Sequence, residues 1–400
     1  MSDVWLSERQ FSLFISIQVR DKENLMLDLV SLEVACGFCS SHILPLGSFG
    51  GFRVRTSPIK LFACCAVLFL AGLALAAPEG GYHLLKKYSL SAPPGGKEYW
   101  DYITFDSAAG HLYISHNTEV KVVDANSGAE VGNIPGLTRV HGIAIIGELG
   151  KGYISDGGAD EAVVFDPKTL KVTGHIKTGK NPDCIIYDPA SKHVFTFNGR
   201  SNDASVIDPQ KDTVVATIPM GGRPEYAVAD GKGMIYDNLE DKNEVVALDS
   251  RSNTIKAHWP IAPAEEASAM DMDVQHHRLF IGGHNKMLAI MDSDNGKVIQ
   301  TFPIGSGVDT NIFDPKAGLL FTAVREGILH IFHEDSPDKF SVVESVKTEF
   351  GARNAALDSK THKLFIDTAD FGPAPEPTTE QPHPQPVPIS GTFRLLVYGR

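Results

Sequence analysis

The 400-residue chain has few cysteines, no excess of basic residues and no convincing helical periodicity. Four of its five cysteines precede residue 77, so the remainder keeps only Cys184 and cannot form an internal disulfide. Basic residues number 36 against 49 acidic ones, and the net charge of −13 opposes binding to a nucleic-acid backbone or an anionic membrane surface. The missing helical periodicity disfavours a helix bundle. Because 42% of the residues are hydrophobic, the sequence still predicts a globular protein with a large core.

One long apolar run covers residues 61–75 and follows three basic residues. It is too short for a comfortable membrane span, and it ends in small residues. This order predicts a Sec signal peptide at 54–76, cleaved after Ala76 or Ala77, and a mature protein without a membrane span in the periplasm or outside the cell. A buried core helix is the alternative, but the run lacks the polar face of such a helix.

Residues 1–53 precede this signal, although a signal peptide should begin near the N-terminus. They show no repeat and do not continue the pattern that follows, so we expect a start codon assigned too early and a true start near Val54. Cys36 and Cys39 in this segment have the spacing of a thioredoxin-type redox motif. No strand-helix-strand pattern surrounds them, and the pair is assigned no function.

A repeat of about 42 residues runs through residues 77–400. One series of aspartates, from Asp106 to Asp358, is spaced by 82, 42, 43, 41 and 44 residues, and a second, from Asp124 to Asp292, by 42, 42, 41 and 43. Between these markers lie short runs of Val, Ile, Phe and Tyr bounded by turn residues, which predict antiparallel strands. Four strands in 40–45 residues are typical of a propeller blade. One unit predicts strands at 184–187, 194–197, 204–207 and 213–218.

The sequence therefore predicts an all-β protein, a seven-bladed β-propeller of four-stranded antiparallel blades at residues 77–400. The last predicted strand, 393–398, lacks a fourth partner, and residues 82–90 supply that outer strand, which removes an exposed sheet edge. A proline-rich insertion at 369–391 separates strands two and three of the last blade. It predicts an extended lid or docking arm, or else a mobile ornament. The blades begin near Trp100, Gly142, Asp183, Glu225, Met270, Thr310 and Asn354.

Units such as 181–198 (NPDCIIYDPASKHVFTFN) and 203–221 (DASVIDPQKDTVVATIPMG) resemble the YVTN-repeat, YncE-like β-propeller family of bacteria, whose repeats are WD40-like. The resemblance covers residues 82–400 and implies an exported seven-bladed propeller, which we expect to be a monomer. Propellers of the wider superfamily include DNA-binding, lactonase and quinoprotein or haem-subunit members, so the resemblance selects no single function. Residues 267–273 depart from the usual aliphatic strand, which makes the fifth blade irregular.

In a propeller, the loops between blades and the loops between strands two and three open on one face, around the mouth of the channel. Loops on a rigid scaffold commonly carry binding sites. Convergent arginines there would bind a small anionic ligand, whereas the alternative is that they pair with acids and hold the blades together. The candidate binding residues on this face are Trp100, Asp101, His116, Arg139, His141, Asp183, Arg223, Glu225, Asp309, Arg353 and Asn354.

Two metal sites are candidates. Asp156, Asp160 and Glu161 lie in a glycine-containing loop and have the oxygen ligands that calcium prefers, although solvated turn carboxylates are commoner. Histidines at 116, 141 and 284 are candidate zinc or copper ligands, or else ordinary hydrogen-bonded side chains.

Residues 77–400 lack the G-x-S-x-G, H-E-x-x-H, Walker A, C-x-x-C and C-x-x-C-H motifs. The sequence therefore favours a non-catalytic scaffold that binds a protein or a small anionic ligand. A lactonase-type hydrolase with a metal at the channel mouth is the first alternative. DNA binding is the second, and the acidic charge weighs against it.

Overall fold

A computed structural model describes residues 6–8, 11–21, 26–36, 80–378 and 384–400. The chain divides into two compact units, Met1–Glu79 and Gly80–Arg400. The first unit contains an antiparallel sheet of β1 (Leu6–Glu8), β2 (Phe11–Asp21) and β3 (Met26–Cys36). The predicted signal peptide, the start near Val54 and Cys39 lie outside the described residues. Within the described ranges, no helix is long and apolar enough to cross a membrane.

Seven four-stranded antiparallel sheets form the second unit, and each is one blade of the predicted propeller. The first strands of successive blades pack on one another in a closed cycle around a central channel. Blade one comprises β5–β8 (Trp100–Asp106, His111–His116, Glu119–Asp124, Glu130–Pro135), blade two β9–β12 (Val140–Ile146, Lys151–Asp156, Glu161–Phe165, Val172–Lys177) and blade three β13–β16 (Pro182–Asp188, His193–Asn198, Asp203–Asp208, Thr213–Pro219). Blade four comprises β17–β20 (Pro224–Ala229, Met234–Leu239, Glu244–Asp249, Thr254–Pro260) and blade five β21–β24 (Ala267–Asp273, Arg278–Gly283, Met287–Asp292, Lys297–Pro303). Blade six comprises β25–β28 (Val308–Asp314, Leu319–Val324, Ile328–Ser336, Lys339–Lys347), and blade seven β29–β31 with β4 (Ala355–Asp358, Lys363–Thr368, Arg394–Gly399, His83–Ser89).

The seventh blade takes its outer strand from the N-terminal side of the propeller, as the sequence predicts, because β4 pairs with β31. The residues on either side of β4 are buried. Tyr82 packs against Phe321, and Leu90 joins a cluster with Trp100 and Phe393. The proline-rich insertion lies between β30 and β31, and the fifth blade has the same four strands as the others.

Burial along the strands follows their place in the blade. The second strand of blade three, β14, is buried at every position after His193, whereas the outer strand β16 alternates between exposed and more buried residues. Inner strands are covered on both faces by neighbouring blades, so their sequences are almost continuously apolar. Aromatic side chains fill the space between blades. Phe280 of blade five, for example, packs on Phe313 and Phe340 of blade six.

The repeated aspartates end strands because their side chains organise the turns that follow. Asp188 accepts hydrogen bonds from the backbone N–H groups of Ala190 and Ser191. Such a turn gives the chain a local partner for its unpaired amides. The same bond to the residue two positions onward occurs at Asp106, Asp230, Asp273, Asp314 and Asp358 and, in the second series, at Asp124, Asp166, Asp208, Asp249 and Asp292.

We expect Asp188→Ala to lower the free energy of unfolding by about 2–3 kcal/mol, because Asp188 is fully buried and also accepts a hydrogen bond from Ser250 Oγ at 2.5 Å. Asp208→Ala in the same blade should cost about 1 kcal/mol, since Asp208 is only half-buried. Urea unfolding measures both changes. Equal losses would contradict the role assigned to the buried turn.

Candidate functional site

One side chain from each blade forms a ring at the channel mouth. In six blades this residue stands five positions before the aspartate that ends or directly follows the first strand, and in blade two it stands five positions before Ile146. All seven positions line the same cavity. The ring consists of Asp101, His141, Asp183, Glu225, Ser268, Asp309 and Arg353.

A β-bulge aims these side chains into the channel. Each of the first six blades has one extra residue in its first strand at this level, for example between Pro182 and Ile185 opposite Asn198 and Thr196. An extra residue changes which face the following side chains occupy. The strand alternation of the sequence alone therefore does not give the direction of the ring residues.

Serines on the second strands hold two of these bulges. Ser115 Oγ accepts hydrogen bonds from the backbone N–H groups of Asp101 and Tyr102, at 2.9 and 3.0 Å. Ser155 Oγ accepts one from the N–H of Gly142 and donates one to the carbonyl oxygen of Asp183. The backbone of the ring is thus fixed by fully buried hydroxyl groups.

The ring forms the floor of an open cup with a volume of about 360 Å³. Directly beneath it, Tyr102 and Tyr226 of blades one and four stack with their ring centroids 5.3 Å apart. These two side chains, from opposite sides of the channel, narrow it below the ring. Besides the ring residues, the lining of the cup consists of Tyr99, Arg139, Asn181, Gly199, Arg200, Arg223, Glu240 and His284.

Burial and repulsion between neighbouring acids disfavour ionisation of three acids in the ring, Asp183, Glu225 and Asp309. Burial, with repulsion from Asp101 and Asp309, raises the pKa of Asp183 to about 7, although His141 opposes the shift. Burial and the same neighbouring acids raise the pKa of Glu225 well above its usual range. The pKa of Asp309 is also raised by burial, against the attraction of Arg353.

His141 lies between two carboxylates. Its Nδ1 is 2.6 Å from Asp101 Oδ2 and 3.5 Å from Asp183 Oδ1, and only 2% of its side chain is exposed. Burial lowers the pKa of His141, but these two acids outweigh burial and raise it above its usual value. The hydroxyl of Tyr99 donates to Asp101 at 3.2 Å and lies 3.3 Å from His141 Nδ1.

The arginines of the cup divide into two kinds. Arg353 pairs with Asp309 of the preceding blade at 3.0 Å, and Arg223 pairs with Glu240. In the first case the pair joins two blades, as the pairing alternative predicts. By contrast, Arg139 lies over the ring of Tyr99, and Arg200 is exposed; within the described ranges neither forms an ion pair with a carboxylate.

Three of the predicted binding residues lie elsewhere. His116 is fully buried, is bonded to Glu98 at 2.5 Å and stacks on Phe393, so it does not line the cup. Trp100 lines a separate cavity of about 160 Å³ beside the cup. Asn354 lines a small cavity of about 10 Å³ together with Asp309, to which its amide donates. The other eight predicted binding residues all line the cup.

The three carboxylates predicted to bind calcium have separate partners. Asp156 accepts the backbone N–H groups of Thr138 and Arg139, and Asp160 accepts that of Asn181. Glu161 pairs with two basic side chains of the neighbouring strand. Among the described residues, two groups of side chains have ligand atoms within 4.8 Å of one another, and neither group contains these three carboxylates. The three histidines are likewise not gathered, since only His141 and His284 line the cup.

The base of the proline-rich insertion lies on the same face as the cup. Phe371 forms an isolated bridge with Pro388 and packs edge-on against Trp100 and Phe350. Arg325 lies 5.8 Å from the Phe371 ring. Phe371 and Pro388 of the insertion therefore line the cavity beside the cup, and the middle of the insertion, residues 379–383, lies outside the described residues.

On the opposite face, His276 contacts Asp273 at 2.6 Å and Glu334 at 3.0 Å, which joins blades five and six. Six residues that line the cup are not among the candidates named from the sequence: Tyr99, Asn181, Gly199, Arg200, Glu240 and Ser268. Ser268 stands five positions before Asp273, and this spacing could have identified it. No such spacing identifies Glu240, which lines the cup and pairs there with Arg223.

Neither a protein-family model nor a curated protein matches the sequence. Solved structures do match. A chain of the mitotic checkpoint complex gives a TM-score of 0.63 at 14% identity, over 81% of this chain and 96% of that one. A chain of hydrazine synthase from Kuenenia stuttgartiensis gives a TM-score of 0.60 at 17% identity, over 72% and 96%. At these identities the similarity shows the propeller fold alone.

Proposed function

We propose that this propeller is a non-catalytic binding module that holds a small anionic ligand in its cup. The proposal rests on which charged side chains of the cup have a partner of opposite charge and which do not. Asp309 and Glu240 are paired with arginines, and Asp101 and Asp183 both contact His141. Glu225 is shifted towards its neutral form by burial.

Among the described residues of the cup, the arginines without a carboxylate partner are Arg139 and Arg200. A guanidinium group forms two parallel hydrogen bonds to a carboxylate or phosphate, so two of them at the rim of a cup favour an anion. A rigid ring of strands keeps the cup open before the ligand arrives, which reduces the entropic cost of binding.

Arg200→Gln should weaken binding of citrate or inorganic phosphate at least tenfold, because a charge-assisted hydrogen bond is worth about 1.5–3 kcal/mol. Isothermal titration calorimetry of the propeller with each anion measures this change. Arg251→Gln is the matched control, since Arg251 is also exposed but follows the third strand of blade four, at the end of the blades opposite to Arg200. Equal effects of the two substitutions, or no binding by the unaltered protein, would reject the anion site.

We further propose that the propeller is exported and belongs to the YVTN-repeat family. The apolar run at 61–75 and the small residues after it support export, and the aspartate-bounded repeats support the family. Detection of the mature protein in a periplasmic or culture fraction, with an N-terminus at Ala77 or Pro78, tests export.

A lactonase-type hydrolase is the second candidate function. It needs a cation at the channel mouth, and the convergence of Asp101, His141 and Asp183 favours it. Hydrolysis of a panel of lactones by the metal-loaded protein tests this candidate, and no turnover would reject it. The net charge of −13 continues to oppose DNA binding.

A further inference from the structure

Three ring residues from consecutive blades bring metal-ligating atoms together. The Nδ1 of His141 lies 2.6 Å from Asp101 Oδ2 and 3.5 Å from Asp183 Oδ1, and the ligand atoms of all three residues lie within 4.8 Å of one another. Neighbouring ligand atoms on a tetrahedral ion with bonds of 2.0–2.1 Å are about 3.3 Å apart. The two distances lie on either side of this value, so small side-chain rotations would give the coordination geometry.

Hydrogen bonds from neighbouring side chains hold Asp101 and Asp183 in place. Ser115 fixes the backbone of Asp101, Ser155 fixes that of Asp183, and the Tyr99 hydroxyl donates to the Asp101 carboxylate. Contacts of this kind orient the ligands of metal sites.

We infer that Asp101, His141 and Asp183 bind one divalent transition-metal ion, of the zinc, manganese or cobalt class, at the floor of the cup. The imidazole nitrogen favours such an ion over calcium, which takes oxygen ligands. Two carboxylates and a neutral imidazole balance the charge of a divalent ion, which makes burial of the group favourable.

Three protein ligands leave at least one coordination position open, as in catalytic metal sites. All three residues line the cup, so the open position faces the space that Arg139 and Arg200 overlook. The inference rests on the cup being the functional site proposed above. It gives an anionic ligand a metal ion to coordinate in addition to the guanidinium groups.

Cobalt and zinc are the probes for the test. The full chain is treated with a chelator, dialysed and titrated with Co²⁺ under visible spectroscopy and with Zn²⁺ by calorimetry, in the absence of any organic ligand. We expect one ion per chain and a cobalt spectrum of low-symmetry coordination. Asp183→Asn and His141→Gln should each weaken binding at least tenfold.

The control is His276→Gln, which removes the histidine from the other mixed group of ligands in the described ranges, Asp273, His276 and Glu334. It should leave the cobalt spectrum and affinity unchanged, and thermal melting checks that each variant is folded. No uptake of cobalt or zinc, binding that survives both cup substitutions, or loss only in His276→Gln would overturn the inference. Anion binding that needs Arg200, in a protein that takes up neither cobalt nor zinc, would overturn the metal site and leave the proposed ligand site standing.

Discussion

A chain that begins at Ser91 is expected to lose cooperative folding, whereas a chain that begins at Gly80 should melt as an intact propeller. The shorter chain lacks β4, so β31 becomes an exposed edge and the seventh blade has three strands. It also lacks Tyr82 and Leu90, which are each 4% exposed. Loss of two such side chains costs roughly 2–5 kcal/mol each, which is comparable to the whole stability of a typical domain.

Point variants separate the effect of the side chains from that of the strand. Leu90→Ala should lower the free energy of unfolding by about 2–4 kcal/mol, because Leu90 packs in the cluster that contains Trp100 and Phe393. Leu84→Ala is the control on the same strand, since Leu84 is 37% exposed, and it should cost less than about 1 kcal/mol. Thermal melting followed by circular dichroism measures all four proteins. An unchanged, cooperative melt of the chain from Ser91 would show that the ring does not depend on β4.

The closure of the ring was predictable because the number of strands in each repeat unit can be counted in the sequence. The five aspartate intervals, of which the first is two periods long, span six periods and therefore define seven units, and the last unit lacks one strand that residues 82–90 can supply. The turn bonds of aspartates such as Asp188 explain why this residue type marks the period. The fold can therefore be recognised from the aspartates that form these local hydrogen bonds, since each series repeats once per blade. This recognition does not require an alignment of homologues.

The candidate site was less predictable, because bulges set the direction of its side chains. His116 ends a strand at the correct end of its blade, but its side chain packs between Glu98 and Phe393. His141, which lies in the bulged segment of its blade, points into the cup. Both positions satisfy the same loop argument from sequence. Only the register of the strands, which a single extra residue changes, determines which of the two side chains enters the cup.

The propeller should be more stable at pH 5 than at pH 8, because burial raises the pKa of several carboxyl groups of the propeller, three of which line the cup. Burial brings the pKa of Asp183 to about 7 and that of Asp271 to about 6. Burial also raises the pKa values of the carboxyl groups of Glu225, Asp237, Asp309 and Asp367.

The sign follows from proton linkage. An acid with a raised pKa binds protons more tightly in the folded state, so stability falls as pH rises between its unfolded and folded pKa values. His141 acts in the same direction, because its raised pKa gives stability that is lost as pH rises through that value. Turn aspartates such as Asp124 and Asp208 have lowered pKa values, and their contribution is lost only below about pH 4.

Asp183 should account for a large share of the difference. A carboxyl group moved from 3.8 to about 7 costs roughly 4 kcal/mol when it is ionised in the fold, at about 1.4 kcal/mol per unit. Asp183→Asn should therefore reduce the difference in unfolding free energy between pH 5 and pH 8 by at least about 2 kcal/mol and raise stability at pH 8 in the absence of metal. Asp208→Asn is the control and should leave the difference unchanged. Urea unfolding at the two pH values measures this difference. Equal stability of the unaltered protein at pH 5 and pH 8 would contradict the raised pKa values of the buried carboxyl groups. A carboxylate that is retained at this cost in stability is typical of a binding site, where function and stability conflict.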